Sequence, residues 1–128
     1  MQRGRSANSK ISFKHKNITT RLSIEEILSL IFPEGSNKRK KEAALYVINV
    51  LHSKPDRKLS RKEIARIQRE LSNTISKATF YRMLNNLIDI GIIRFDRDLS
   101  LYFLSTNFAS ALERLAKAYR KWYSKKGK

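Results

Sequence analysis

The chain has 128 residues, the length of a single domain, and it carries 28 Lys and Arg against 11 Asp and Glu, a net charge of +17. A field of that sign attracts polyanions, so nucleic acid is the first candidate partner and an anionic membrane surface is the second. The absence of cysteine excludes disulfides, thiolate metal sites and cysteine redox sensing. No apolar run approaches the ~18 residues of a membrane span, and no apolar segment typical of a secretory signal follows the first residues.

The first 21 residues are predicted to form a basic, flexible arm, because cations are spread among Ser, Asn and Thr with little apolar content. A short ordered piece is expected only near residues 11–13. A solvated terminus fits this composition as well as an arm that lies on a nucleic-acid backbone or in a minor groove. The cations of the arm are Arg3, Arg5, Lys10, Lys14, Lys16 and Arg21.

A first helix is predicted from Ser23 to about Phe32. Ser23 and Glu26 have the spacing of a capping box, in which the serine hydroxyl and the glutamate carboxylate satisfy backbone N–H groups of the first turn. The Pro-Glu-Gly sequence at 33–35 is expected to end this helix.

A second helix is predicted from about Asn37 to Ser53, and the consecutive cations at 38–41 in its first turns oppose the helix dipole. Charges that are unfavourable for the helix suggest a role beyond folding. We therefore interpret them as phosphate contacts, although a solvated cluster would have the same sequence. The residues assigned to this contact are Lys38, Arg39 and Lys40.

Two more capped helices follow with a short polar connection between them. Ser60 and Glu63 repeat the capping-box spacing, and this helix is expected to end near Leu71. The next helix begins at its N-cap Ser76 and ends at Gly91, since glycine readily adopts the left-handed conformation that terminates helices. Two helices joined by so tight a connection are a candidate helix-turn-helix.

The helix over 76–90 is the element that we expect to carry the function. Its apolar residues recur at i, i+4, i+7 and i+8, which predicts one buried face. The first turns of its other face carry residue types that reach phosphates and base edges, although taken alone the pattern also fits an ordinary surface helix. The predicted buried face consists of Phe80, Leu84, Leu87 and Ile88, widened by Met83 and Ile90.

After Gly91 the apolar period changes from that of a helix to that of a strand, which predicts two short strands at 92–95 and 100–104. A two-stranded hairpin is not stable alone, so we expect it to pack on the helices.

A last helix is predicted from about Thr106 to Lys125, with apolar residues at the alternating steps of four and three that form a coiled-coil seam. We expect this seam to pair with the seam of a second copy of the chain, and folding back onto the first helix is the alternative. The seam consists of Phe108, Leu112, Leu115, Tyr119 and Trp122.

The order of four helices, a hairpin and a final helix resembles the winged helix-turn-helix DNA-binding proteins of the MarR and PadR type. The similarity covers about residues 22–125, and members of this group typically show S-x-x-T, an apolar and a polar residue, R, a pair of Leu residues, and G-[LI]-[IV] where the wing opens. The matching residues here are Ser76-Lys77-Ala78-Thr79-Phe80-Tyr81-Arg82-Met83-Leu84, then Leu87, then Gly91-Ile92-Ile93.

The fold class that this resemblance implies is mainly α with a small β-hairpin. It comprises a basic arm at 1–21, a winged helix-turn-helix domain at 22–105, and an extra C-terminal dimerisation helix with a basic tail at 106–128. The helix over 76–90 would enter the major groove of DNA, and a basic wing tip would meet the minor groove or the backbone. The implied contacts are Ser76, Lys77, Thr79, Tyr81 and Arg82 on the helix and Arg94 and Arg97 on the wing.

The function that we expect is sequence-specific binding of double-stranded DNA by a homodimer, as a transcriptional regulator in the cytoplasm at the nucleoid. A plasmid partition-site protein, like the PadR-type segregation proteins of archaeal plasmids, and a non-specific architectural nucleoid or RNA-binding protein are the alternatives. A further protein partner stays open, and no cofactor, metal or membrane is expected. Catalysis is not expected, because His15 and His52 stand apart from each other and capping or turns account for the carboxylates.

Overall fold

The computed structural model of the protein describes residues 13–32 and 38–126. These ranges contain five α-helices, one antiparallel sheet of three strands and a 3₁₀ turn at His15–Asn17. The expectation of a mainly α-helical chain with a small β element is confirmed at this level. The elements are α1 (Ile24–Ile31), α2 (Lys38–Ser53), β1 (Lys58–Ser60), α3 (Arg61–Glu70), α4 (Lys77–Ile90), β2 (Ile93–Asp96), β3 (Leu101–Leu104) and α5 (Asn107–Ser124).

Several predicted features lie outside the described residues. These are most of the basic arm, the helix break at 33–35 and the predicted start of the second helix at Asn37. The part of the arm that the structure describes, residues 13–21, is exposed throughout. This part contains the 3₁₀ turn at His15–Asn17, whereas the ordered piece predicted near 11–13 lies mostly outside the described residues.

Both predicted capping boxes form. Ser23 Oγ accepts a hydrogen bond from the Glu26 backbone N–H at 3.1 Å, and the Ser23 backbone N–H donates to Glu26 Oε1 at 2.8 Å. Ser60 and Glu63 repeat both distances at the start of α3. A further hydrogen bond from Lys54 Nζ at 2.8 Å, together with that from the Ser60 backbone, lowers the pKa of Glu63 to about 2. The α3 cap is therefore fully ionised at physiological pH.

The sheet differs from the prediction of a hairpin, because a third strand is present. The strand β3 lies in the centre and pairs antiparallel with β2 on one side and with β1 on the other. The three residues of β1 overlap the start signal of α3, since Leu59 precedes the cap and Ser60 is the cap itself. In the sheet Leu59 lies opposite Tyr102, so β1 attaches the start of α3 to the hairpin.

One apolar core joins the helices to the sheet, and α4 lies at its centre. The apolar face of α4 packs against α2 and β2, while α1 and α3 contribute Leu28, Ile64 and Ile67. The side of α4 that was predicted to be buried does face the core, although two of its predicted residues, Ile88 and Ile90, are only half-buried. Its fully buried members are Phe80, Met83, Leu84 and Leu87.

Gly91 ends α4 and also positions α5. Its φ of 90° lies in the left-handed region, and its N–H donates to the carbonyl oxygens of Leu87 and Ile88 at 3.2 and 3.1 Å. Its own carbonyl accepts a hydrogen bond from the Phe108 N–H at 3.0 Å. A Cβ at this position would lie 2.7 Å from the Phe108 nitrogen, so both the backbone conformation and the available space require glycine.

The first turn of α5 attaches this helix to the rest of the chain. Phe108, which the sequence assigns to the dimerisation seam, packs against the core of its own chain. No residue of α5 is buried, and the four later members of the seam are all exposed. The helix thus presents an apolar side that the described part of the chain does not cover.

Gly91→Ala is expected to lower the free energy of unfolding by about 1–2 kcal/mol through the left-handed backbone alone, and by more because the methyl group meets the Phe108 backbone. Thermal unfolding followed by circular dichroism measures the change. Ser100→Gly is a matched control, because Ser100 has a φ of 54° in an exposed turn and glycine relieves it. A Gly91→Ala variant as stable as the wild type would contradict this role.

Candidate nucleic-acid interface

The exposed side of α4 presents a single row of side chains. Ala78, Arg82, Asn85 and Asp89 recur at steps of four, three and four, and all four are exposed. Residues at this spacing are neighbours along one side of a helix. Lys77 is exposed beside the start of the row. Because the opposite side of α4 lies in the core, this row faces solvent along the length of the helix.

Ser76 and Thr79 build the N-terminal end of α4. Ser76 Oγ accepts a hydrogen bond from the Thr79 backbone N–H at 3.1 Å and donates to Thr79 Oγ1 at 2.9 Å. Both residues were predicted as DNA contacts, and in the structure each also has a capping role. The dipole of α4 favours an anion at this end of the helix.

Two cations of α2 lie against the same end of α4. Arg39 Nη1 donates to the Thr74 carbonyl oxygen in the turn before α4 at 3.3 Å. Arg39, Lys40 and Arg82 line one cavity of about 330 Å³, in which three cations from two helices face the start of α4. Such a cavity suits an oxyanion such as phosphate. Its remaining walls are Thr74, Ile75, Ser76 and Thr79.

Asn86 connects Lys40 to α4. With its amide oriented so that both groups are satisfied, Asn86 donates to the Arg82 carbonyl oxygen at 3.2 Å and accepts from Lys40 Nζ at 3.0 Å. The Lys40 ammonium also lies 5.8 Å from the centre of the Phe32 ring. These contacts orient Lys40 toward α4, whereas Lys38, the third predicted cation of α2, is exposed and does not line the cavity.

The two predicted cations of the hairpin differ in their surroundings. Arg97 is exposed in the turn between β2 and β3, where the Leu99 N–H donates to Asp96 Oδ1 at 3.0 Å. The Arg94 guanidinium lies 4.4 Å from the centre of the Phe103 ring and 3.8 Å from Asp96 Oδ2. The charge of Arg94 is therefore partly engaged within its own chain.

Tyr81 is half-buried, and its ring meets that of Phe80 edge-on at 5.2 Å between centroids. On the adjacent sheet, burial raises the pKa of Tyr102, an effect that the positive charge of Arg61 partly opposes. The Arg61 guanidinium lies 5.5 Å from the centre of the Phe95 ring. Arg61, which the sequence analysis did not single out, therefore adjoins the sheet.

These features define a small, basic, mainly helical protein with a cationic surface at the start of one helix. The chain belongs to an archaeal protein family, whose model it matches over residues 21–124. No curated protein and no solved structure matches it. Within residues 13–32 and 38–126, no helix is long and apolar enough to traverse a bilayer, and no three His, Asp or Glu side chains come together as metal ligands.

The cations of this interface are expected to make duplex-DNA affinity strongly dependent on salt, with log K falling by ~0.9 per neutralised phosphate for each unit of log salt. Replacing Arg39 and Lys40 together by Gln should reduce that slope by up to about 1.8. Fluorescence anisotropy across a salt series measures it. The control is Arg120→Gln with Lys121→Gln on α5. An equal loss of slope in this control, or an affinity of the wild type that does not change with salt, would contradict the assignment of Arg39 and Lys40 to phosphate contact.

Proposed function

We propose that the protein binds double-stranded DNA as a winged helix-turn-helix protein of the MarR and PadR type and acts as a transcriptional regulator at the nucleoid. In this proposal α3 and α4 form the helix-turn-helix, α4 enters the major groove, and β2 and β3 form the wing. The observation that carries it is the meeting of the α2 cations with the exposed start of α4 around one cavity. Cations at the positive end of a helix are unfavourable unless an anion binds there.

The connection between α3 and α4 supports this interpretation. The N–H groups of Thr74 and Ile75 both donate to the Leu71 carbonyl oxygen, at 2.9 and 3.0 Å, and the Ile75 side chain is buried. Arg39 holds the same turn through the Thr74 carbonyl oxygen. The turn is therefore tightly constrained. A helix that reads DNA needs such a constraint if it is to present its side chains to the bases in a reproducible orientation.

The proposed contacts fall into two classes. Arg39, Lys40 and Lys77 suit backbone phosphates, which position a protein on the duplex without reading its sequence. Arg82 belongs to the exposed row, and a guanidinium in the major groove can donate two hydrogen bonds to one guanine edge. Thr79 can donate its hydroxyl hydrogen to the same phosphates, whereas the Ser76 hydroxyl already donates to Thr79 Oγ1. Tyr81 offers only its hydroxyl end because its ring packs on Phe80.

The hairpin supplies the proposed wing contact. Arg97 is exposed in the turn and suits a backbone phosphate, whereas Arg94 is already stacked on Phe103 and close to Asp96. We therefore assign the main wing contact to Arg97. Because the turn between β2 and β3 spans only residues 97–100, the wing lies along the backbone and does not enter deeply into the minor groove.

The net charge of +17 favours a second candidate function, non-specific binding of nucleic acid by an architectural protein. Charge alone would then supply the affinity, and no base sequence would be preferred. The two functions are separated by a ratio of affinities, since specific regulators typically prefer their site over bulk DNA by ~10³ or more at physiological salt.

The apolar side of α5 supports a dimeric form of this DNA-binding protein. Leu112, Leu115, Tyr119 and Trp122 are 49, 66, 62 and 65% exposed, and contiguous exposed apolar residues mark interaction sites. The aromatic members also contact each other, with the Tyr119 and Trp122 rings 5.7 Å apart. We propose that this row packs against the same row of a second copy.

The residues beside the row suit that pairing. In the first two heptads the positions that flank the row are occupied by alanines, whose small side chains allow two helix backbones to approach closely, while four cations lie at outer positions and stay hydrated. A two-fold dimer would place two copies of α4 on one face of the DNA, about one helical turn apart. The alanines are Ala109, Ala111, Ala116 and Ala118, and the outer cations are Arg114, Lys117, Arg120 and Lys121.

Selection of bound fragments from random duplex DNA, followed by sequencing, tests the proposed function. A preferred, pseudo-palindromic site is expected, with the affinity ratio of a specific regulator. If no sequence is enriched although DNA is bound, the non-specific alternative is correct. If no duplex is bound, the proposed function is wrong, and a protein that binds neither duplex DNA nor RNA would refute the non-specific alternative as well.

On the selected site, Arg82→Ala is expected to weaken binding by about 1–3 kcal/mol, because it removes a base contact. The melting temperature should be unchanged, since the side chain is exposed. Arg120→Ala removes the same charge from α5 and is the matched control, with a smaller loss that is equal for all sequences. An Arg82→Ala variant that behaves like this control would contradict a reading role for Arg82.

The dimer is tested by the solution mass from light scattering at micromolar concentration. The wild type should be dimeric, and Leu115→Glu combined with Trp122→Glu should be monomeric, because both carboxylates would be buried in the proposed interface. Arg114→Glu combined with Lys121→Glu places the same carboxylates on the outer side of α5 and should stay dimeric. A monomeric wild type would refute the dimer, and a dimeric Leu115→Glu, Trp122→Glu variant would exclude α5 as the interface.

A further inference from the structure

We infer that Asn85 is a specificity-determining residue that reads an adenine close to the base pair contacted by Arg82. The inference rests on the proposed DNA-binding function and deepens it, because it assigns the chemistry by which α4 distinguishes one sequence from another. It is drawn from the exposed row on α4 and from the different surroundings of the two adjacent asparagines, Asn85 and Asn86.

Asn85 follows Arg82 along the exposed row of α4. Three residues of an α-helix rise by about 4.5 Å along its axis, which is close to the ~3.4 Å between successive nucleotides of a B-DNA strand. One helix in the major groove can therefore hold Arg82 and Asn85 against base pairs that lie within two steps of each other. No other adjustment of the fold is required, because both side chains already lie on the solvent side of α4.

The neighbouring asparagine, Asn86, has a different role. Its amide is used within the protein, since it donates to the Arg82 carbonyl oxygen and accepts from Lys40 Nζ. Asn85 is exposed, and its side-chain amide takes part in none of the side-chain hydrogen bonds of the described ranges. Both its N–H donors and its carbonyl acceptor are thus available to a ligand.

The chemistry of that amide matches one base in particular. In the major groove adenine presents the N7 acceptor beside the N6 donor, and an asparagine amide pairs with both at once. Guanine presents two acceptors at the same edge, which suits the guanidinium of Arg82. The row therefore predicts a guanine contact and an adenine contact at adjacent or next-but-one positions in each half-site.

The two ends of the row limit the contact. Ala78, at the start, presents a methyl group of the kind that contacts the thymine methyl. Asp89, at the other end, carries a negative charge that repels phosphate, so the DNA is expected to cover α4 from its start as far as Asn85 and to leave the groove before Asp89.

The test compares Asn85→Ala with Asn86→Ala on duplexes that carry the selected site or one of its single-base-pair replacements. In Asn85→Ala, the ratio of affinities for the selected site and for its replacements at one A·T pair is expected to fall by about 5- to 150-fold. The corresponding ratios at the other positions should be unchanged. Asn86→Ala should lower the affinity for all duplexes by the same factor, since it releases Lys40. Asn85→Gln, which keeps the amide, should retain part of the preference for adenine.

Thermal unfolding provides the check on folding, and Asn85→Ala should melt with the wild type because the side chain is exposed. An Asn85→Ala variant that keeps discrimination at every position, or that loses affinity equally on all duplexes, overturns the inference while the proposed function stands. Loss of the same A·T preference in Asn86→Ala also overturns it. A wild type with no preferred sequence overturns the proposed function itself, so the two failures are distinguishable.

Discussion

The packing of α4 against α2 and β2 is the constraint on which the rest of the structure depends. Burial of Phe80, Met83 and Leu84 fixes the rotation of α4 about its axis, and this rotation decides which side chains form the exposed row. The same packing brings the first turn of α2 beside the start of α4, where Arg39 reaches the Thr74 carbonyl oxygen. The candidate interface is therefore a consequence of the core and does not depend on flexible surface side chains alone.

The consecutive cations of α2 lie in different environments, because successive residues of a helix point in different directions. Arg39 and Lys40 face the start of α4, whereas Lys41 Nζ points to α1 and donates to Ser29 Oγ at 3.1 Å. Positive charges at the N-termini of both α2 and α4 oppose two helix dipoles at once. A bound polyanion would offset that cost, which is the physical link between this arrangement and the proposed binding of DNA.

Local chemistry explains which features were predictable from the sequence. The capping boxes, the glycine stop at Gly91 and the apolar face of α4 depend on residues close together in the chain, and the structure has all of them. The strand β1, the link between Lys40 and Asn86, and the packing of Phe108 on its own core depend on contacts between distant segments. Spacing along the chain carries no signal for such contacts. The sequence therefore predicted phosphate contacts for the α2 cations and DNA contacts for α4 on separate grounds, and only the structure brings Arg39, Lys40 and Arg82 to one cavity.

In the proposed function, the start of α4 together with the α2 cations is the surface that binds DNA. A titration of the ¹⁵N-labelled protein with the duplex that it prefers, followed through its backbone amide NMR signals, tests whether this surface meets the DNA. If this surface binds DNA, the largest shifts are expected at residues 38–40 and 74–86, with smaller shifts in the turn at 97–100. Shifts confined to α5 or to the N-terminal arm, with the signals of α4 unchanged, would contradict it.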